Sequence, residues 1–249
     1  MSHVAANGVQ LHVQELGAGP PVVMLHGLLI GSLASWYFTA GPALAARHRV
    51  TMFDLRGHGR SEPVTTGYDV RTMAADLAAL VGEGEPVDLV GHSWGALVAL
   101  RFAIAHPARV RRLVLVEAPL PPASVTEMAA FAGSDVGAIA SALPAPMREA
   151  LVGGGRRGQK LLASLEFLLG KTTLLADLAA ERDPEAAELA GMRAPCLVVT
   201  GDRSSCAASG ARLAATIPGA RHVVLPGGHY LHLDAREALT QLIGEYLGG

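Results

Sequence analysis

Cysteine is nearly absent from this chain: Cys196 and Cys206 are the only two among 249 residues. They lack C-x-x-C spacing, so nothing indicates a disulfide framework or a redox motif. Cys196 falls within an apolar run, where a buried thiol is the ordinary outcome. Charge is also sparse, at 17% of residues with a net of −2, which leaves no basic field for a phosphate backbone or an acidic membrane. No nucleic-acid partner is expected. Uninterrupted apolar runs fall short of the roughly 18 residues that a membrane span requires. Residues 1–7 lack a basic segment followed by an apolar core, so no signal peptide is read and the expectation is a cytoplasmic protein without a membrane partner. H-E-x-x-H and comparable ligand spacings are missing, and no metal or other cofactor is expected. Internal repeats and low-complexity tracts are missing too.

What is present is apolar and regularly punctuated. Half the residues are hydrophobic, and the length suits one large domain near the size at which single cores divide. Val9 to Glu15 alternates apolar and polar, as a half-exposed antiparallel edge strand would. Val22–Leu25 is a short all-apolar run, the pattern of a strand covered on both faces, and Val50–Asp54, Val87–Val90, Arg112–Val116, Pro195–Asp202 and His222–Leu225 read as further strands. Helical spacing runs over 69–81, 96–104, 207–217 and 238–247, so strands and helices alternate and predict a mostly parallel sheet. From about 121 to 193 that alternation lapses into alanine- and leucine-rich helical stretches. Pro144, Pro146 and a glycine run around Arg156 and Arg157 break them.

The stretch Val87-Asp88-Leu89-Val90-Gly91-His92-Ser93-Trp94-Gly95-Ala96 organises the rest. An apolar run turns there into a helix that Pro107 ends, and Gly91, Ser93 and Gly95 spell G-x-S-x-G. A strand that reverses into a helix within a residue or two brings backbone against backbone. A Cβ on either flank would collide, and the serine is held strained with its hydroxyl exposed. Ser93 also sits at a helix N-terminus, where free N–H groups favour negative charge.

With its strand and helix, this Gly-His-Ser-Trp-Gly elbow resembles the α/β-hydrolase fold superfamily. Two further loops carry the same likeness: Asp54-Leu55-Arg56-Gly57-His58-Gly59-Arg60-Ser61, which matches D-x-R-G-x-G-x-S, and Gly227-Gly228-His229 after the last strand. The resemblance implies an α/β fold, a mostly parallel sheet of about eight strands flanked by helices. It also implies a helical lid after the sixth strand: residues 1–119 and 194–249 as the core, 120–193 as the cap, over the carboxyl ends of the strands where open α/β sheets bind ligands. His26-Gly27 resembles the superfamily's oxyanion loop, so the backbone N–H groups of Leu28 and Trp94 are expected to hold an oxyanion, with His26, His92 and Leu29 around the substrate. Asp54 is read as pinning its loop through Arg56 or Arg60.

A lone serine hydroxyl is a poor nucleophile; it needs a base in reach, and the base needs an orienting acid. The order nucleophile, acid, histidine suits this fold. His229 is the expected base and His232 its decoy. The acid is where the chain departs from its relatives. Most carry G-x-x-D after the seventh strand, whereas Gly201-Asp202-Arg203-Ser204 has serine in the aspartate's place. Asp202 from a rearranged loop and Glu117 from the end of the sixth strand both remain open, since adjacent strands lie about 4.8 Å apart and either carboxylate can reach one imidazole.

A serine at position 93 excludes the dehalogenase and epoxide-hydrolase chemistry of this fold, for which the resemblance implies aspartate there. Acyl chemistry on a small-molecule substrate remains. Leu161, Leu162, Leu165, Phe167, Leu168 and Leu169 in the lid predict an apolar acyl pocket, or else simply pack lid to body. The first reading is a serine hydrolase of a carboxylic ester or thioester with a hydrophobic acyl group. Cleavage of a diketone C–C bond, acyl transfer and a non-catalytic receptor are the alternatives. Arg156-Arg157 suit the phosphates of a CoA or carrier thioester, or form a solvated loop; a homodimer is left open.

Overall fold

The computed structural model describes residues 2–120, 148–149, 153 and 155–248. Eight strands form one sheet in the order β1-β2-β4-β3-β5-β6-β7-β8. They are β1 (Ser2–Ala6), β2 (Val9–Leu16), β3 (Pro21–Leu25), β4 (Arg49–Phe53), β5 (Val87–His92), β6 (Val110–Val116), β7 (Cys196–Gly201) and β8 (Arg221–Leu225). From β4 onward every pairing is parallel, while β2 pairs antiparallel with both β1 and β4. The all-apolar runs become the central strands: β3, β5 and β7 are buried at every position. The sequence places the edge at Val9–Glu15, yet β1 lies outside it. Asn7 and Gly8, at φ 49° and 79°, make the tight turn between the two, with both central residues at positive φ as a two-residue hairpin requires.

The helices are α1 (Ala34–Tyr37), α2 (Ala40–Leu44), α3 (Val70–Val81), α4 (Trp94–Ala105), α5 (Arg156–Gly170), α6 (Leu174–Ala180), α7 (Ala186–Ala190), α8 (Ala207–Thr216), α9 (Leu231–Asp234) and α10 (Arg236–Gly248). They divide the buried apolar side chains into two layers. One joins Val23, Leu25 and Leu89 of the sheet to α3, α4 and α8; the other joins Val22, Met24, Val90 and Val114 to α2, α9 and α10. The split follows the period-2 alternation of side chains along each strand. Helix α3 begins where Asp69 accepts the Thr72 N–H at 2.8 Å, an N-cap that satisfies one of the first turn's orphan donors. Among the described residues no helix is long and apolar enough to cross a membrane.

Of residues 120–193, expected as the lid, 121–147, 150–152 and 154 lie outside the described residues, Pro144 and Pro146 among them; so does the Arg157 side chain. The helices of this stretch dock on the body. Leu165, Leu168, Leu174 and Leu178 are buried in the first apolar layer. Asp177 accepts the Tyr68 N–H, Glu181 accepts the Val70 N–H, each at 2.9 Å, and Arg101 pairs with Glu188. Those leucines therefore pack against the body.

Candidate functional site

Parallel strands end level with one another, and the site is built on the loops at their carboxyl ends. Registers pair His92 with Val116, Val116 with Val199 and Gly201 with Leu225, so the residues after β5, β6, β7 and β8 are neighbours though up to 136 positions apart in sequence. Ser93 sits between β5 and α4 at φ 55°, ψ −121°. A Cβ on Gly91 would lie 2.4 Å from the Gly95 oxygen, and one on Gly95 would lie 2.5 Å from the His26 oxygen. Both contacts are with backbone, which cannot yield, so the bend requires glycine on each side.

His229 reaches Ser93 from the β8 loop, with Nε2 3.0 Å from Oγ. Three contacts hold that loop. Asp202 accepts the Gly227 N–H at 2.8 Å, Asp234 accepts the Gly228 N–H at 2.8 Å, and the His229 carbonyl lies 2.8 Å from His92 Nε2. On its other side His229 Nδ1 is 3.3 Å from Glu117 Oε2. Glu117 is fully buried, and a buried carboxylate is tolerated only when its oxygens are occupied. The Gly201 N–H donates to Oε1 at 2.5 Å and the Ser204 hydroxyl donates to Oε2. Glu117 itself stands at φ 55°, a conformation costing on the order of 1–3 kcal/mol for a residue with a Cβ. Asp202 is not part of this chain of contacts: it faces Gly227 and Arg203 with its side chain 48% exposed.

Leu28 sits in the loop after β3, and Trp94 opens α4. Neither donates its N–H to any acceptor among the described residues. Leu29, at φ 64°, does donate, to His58 Nε2 at 3.0 Å. His26 Nδ1 contacts the Gly27 oxygen and its Nε2 accepts the Leu55 N–H. His26 thus braces the loop after β3 against the loop after β4. His58 Nδ1 contacts the Arg56 oxygen while its Nε2 takes Leu29. A ring nitrogen that accepts from backbone N–H leaves the imidazole neutral. Burial accordingly lowers the pKa of His26, and lowers that of His58 to about 3. His92 is held well below its ordinary value by burial and by the neighbouring His232 and His229. His232, buried at the start of α9, is lowered to about 4 for the same first reason.

Of the two partners expected for Asp54, the structure gives Arg60: Asp54 accepts from the Arg60 backbone N–H, and also from the Leu33 N–H and His12. Arg56 instead makes a two-pronged pair with Asp76 of α3 at 2.6 and 2.5 Å. His26, His92 and Leu29, expected around the substrate, are almost wholly buried, as Ser93 itself is, and their hydrogen bonds brace the loops on which the site stands. Asp234 and Ser204 join the site without having stood out in the sequence. The short G-H-Y-L-H-L-D spacing around the helix start is the only trace of the first, and the missing G-x-x-D aspartate the only trace of the second. A cleft of about 350 Å³ lined by Val4, Val13, Pro21, Val23 and Val87 lies at the opposite, amino-terminal ends of the strands, away from these groups.

A family model described as the alpha/beta hydrolase fold matches residues 20–148. The chain belongs to the alpha/beta hydrolase fold family. Within it, a soluble epoxide hydrolase of Corynebacterium sp. (strain C12) is 41% identical over 115 residues, 45% of this chain and 39% of that protein. A 2-hydroxy-6-oxo-2,4-heptadienoate hydrolase of Pseudomonas putida (strain F1) is 41% identical over 120 residues, 46% of this chain and 43% of that one. The chain thus spans less than half the length of these curated relatives. A hydrolase of known structure from Pseudomonas aeruginosa PA01 superposes on the whole alpha/beta hydrolase chain. Its TM-score is 0.80, with 27% identity and 100% and 98% of the two chains covered.

Proposed function

We propose that this alpha/beta hydrolase cleaves a carboxylic ester or thioester with a hydrophobic acyl group through an acyl-enzyme on Ser93, with His229 as base and Glu117 as the orienting acid. One observation carries the reading: an unbroken run of contacts from the Ser93 hydroxyl through His229 to a buried, strained Glu117, beside two N–H groups left without a protein acceptor among the described residues. In this mechanism His229 Nε2 takes the Ser93 proton as Oγ attacks the carbonyl carbon, and the Leu28 and Trp94 N–H groups receive the oxyanion. His229 then hands the proton to the leaving group, and water attacks the acyl-enzyme by the same route. Glu117 accepts the Nδ1–H, fixing the tautomer in which Nε2 is free to act. The cap, 120–193, would supply the apolar wall for the acyl chain.

Epoxide opening, which the Corynebacterium relative's name denotes, does not suit a serine. Attack by Oγ on an epoxide carbon leaves an ether on the enzyme, with no carbonyl for water to attack. Carbon–carbon bond cleavage of a 2-hydroxy-6-oxo-dienoate is the second reading, favoured by the Pseudomonas putida relative and served by the same groups. Hydrolysis of p-nitrophenyl acyl esters and of a 2-hydroxy-6-oxo-dienoate by wild type and Ser93→Ala separates the two. Equal ester rates in the two proteins would end the first reading.

A further inference from the structure

We propose that Glu117, Cys206 and His229 form a capture site for a soft divalent cation, zinc or cadmium, whose binding switches the nucleophile off. One ligand atom from each residue lies within 4.8 Å of the others. The fit is closer than that limit suggests. His229 Nδ1 to Glu117 Oε2 is 3.3 Å and Cys206 Sγ to His229 Nδ1 is 3.6 Å. Tetrahedral zinc with Zn–N and Zn–O near 2.1 Å and Zn–S near 2.3 Å has ligand edges of roughly 3.4 Å for N–O and 3.6 Å for S–N. Both measured edges already match, and a thiolate, an imidazole and a carboxylate are a donor set zinc uses. Glu117 and Cys206 are buried, and the His229 side chain is 30% exposed.

Inhibition follows from the ring's proton count. With Nδ1–H directed at Glu117, Nε2 carries the lone pair that takes the Ser93 proton. A cation on Nδ1 requires that lone pair instead, so the ring proton moves to Nε2, which then cannot act as base; Cys206 releases its thiol proton to solvent. Inhibition rests on the proposed base role of His229; cation binding does not.

Cobalt(II), as a coloured stand-in for zinc, tests the binding directly. Wild type is expected to give one equivalent of a tetrahedral cobalt spectrum with a thiolate-to-metal charge-transfer band. Zinc or cadmium should suppress ester hydrolysis reversibly to chelator, and magnesium should not. Cys206→Ala and Cys206→Ser should both lose the charge-transfer band, and each, normalised to its own metal-free rate, should need at least about tenfold more zinc for half inhibition. No thiolate band in wild type at saturating cobalt, or zinc sensitivity in both variants equal to that of wild type, overturns the proposal. If no ester is cleaved at all, the cobalt spectrum still decides the site.

Discussion

Glu117 and Asp202 follow neighbouring strands, yet their carboxylates serve different partners: Glu117 Oε2 lies 3.3 Å from His229 Nδ1, and Asp202 Oδ1 accepts the Gly227 N–H at 2.8 Å. The two contacts predict different kinetics. Glu117→Gln keeps the side-chain volume but offers an amide to Nδ1 and favours the wrong tautomer. It should lower kcat by about a thousandfold or more, as loss of the orienting acid does in other triads. Asp202→Asn retains the Oδ1 acceptor for Gly227 and should change kcat by only about threefold. Steady-state kinetics on one ester decides it, and the reverse ranking would move the acid to Asp202.

At the elbow the expectation concerns shape. Gly95→Ala places a methyl 2.5 Å from the His26 oxygen and 2.8 Å from the Leu25 oxygen, so either the β3 loop or α4 must shift. Overpacking of this kind costs on the order of 1–3 kcal/mol. Urea unfolding should show that loss. Hydrolysis should fall further than stability does, because the same shift moves the Leu28 N–H away from Ser93.

The elbow, the position of His229 beside Ser93 and the parallel sheet were legible because each rests on a local pattern: an apolar run, two flanking glycines, Gly-Gly-His before a helix. Strand β1 was not, although Asn7-Gly8 is the dipeptide of a two-residue hairpin; its exposed, alternating residues offered no apolar run to weigh. Which carboxylate lies beside His229 was not legible either. It depends on donors 84 and 87 residues away, Gly201 and Ser204, and on a positive φ that no side chain announces. The serine standing where relatives carry aspartate reads in sequence as a loss; in the fold its hydroxyl donates to the glutamate. Arg56 obeys the same logic, drawn to Asp76 on α3 rather than to the charges beside it. The Glu117, Cys206 and His229 cluster has no ligand spacing at all, since three separate strand ends supply it.

The leucines of 156–180 divide by what they touch. Leu168 is fully buried in the layer shared with Tyr68 and Met73, so Leu168→Ala should cost about 2–5 kcal/mol in the unfolding of the body and lid together. Acyl-chain preference should be little changed. A variant of unchanged stability but altered chain-length preference would instead make Leu168 a pocket wall.

Stability should fall as the medium turns acidic, for a reason that can be assigned to residues. His58 and His232 are neutral in the fold with pKa values of about 3 and 4, against an ordinary 6.5, and burial lowers His26 and His92 as well. Above about pH 6.5 the folded and unfolded chains hold equal protons at these rings, and stability is flat. Between there and the folded values the unfolded chain binds protons that the fold refuses, so each ring removes up to about 1.4 kcal/mol per pH unit. Urea midpoints should therefore drop steeply from about pH 6.5 toward pH 4. His58→Gln, which takes one such ring out, should start lower at neutral pH because the Leu29 N–H loses its acceptor, yet descend less steeply in acid. Parallel descents in the two proteins would mean that His58 is protonated in the folded state.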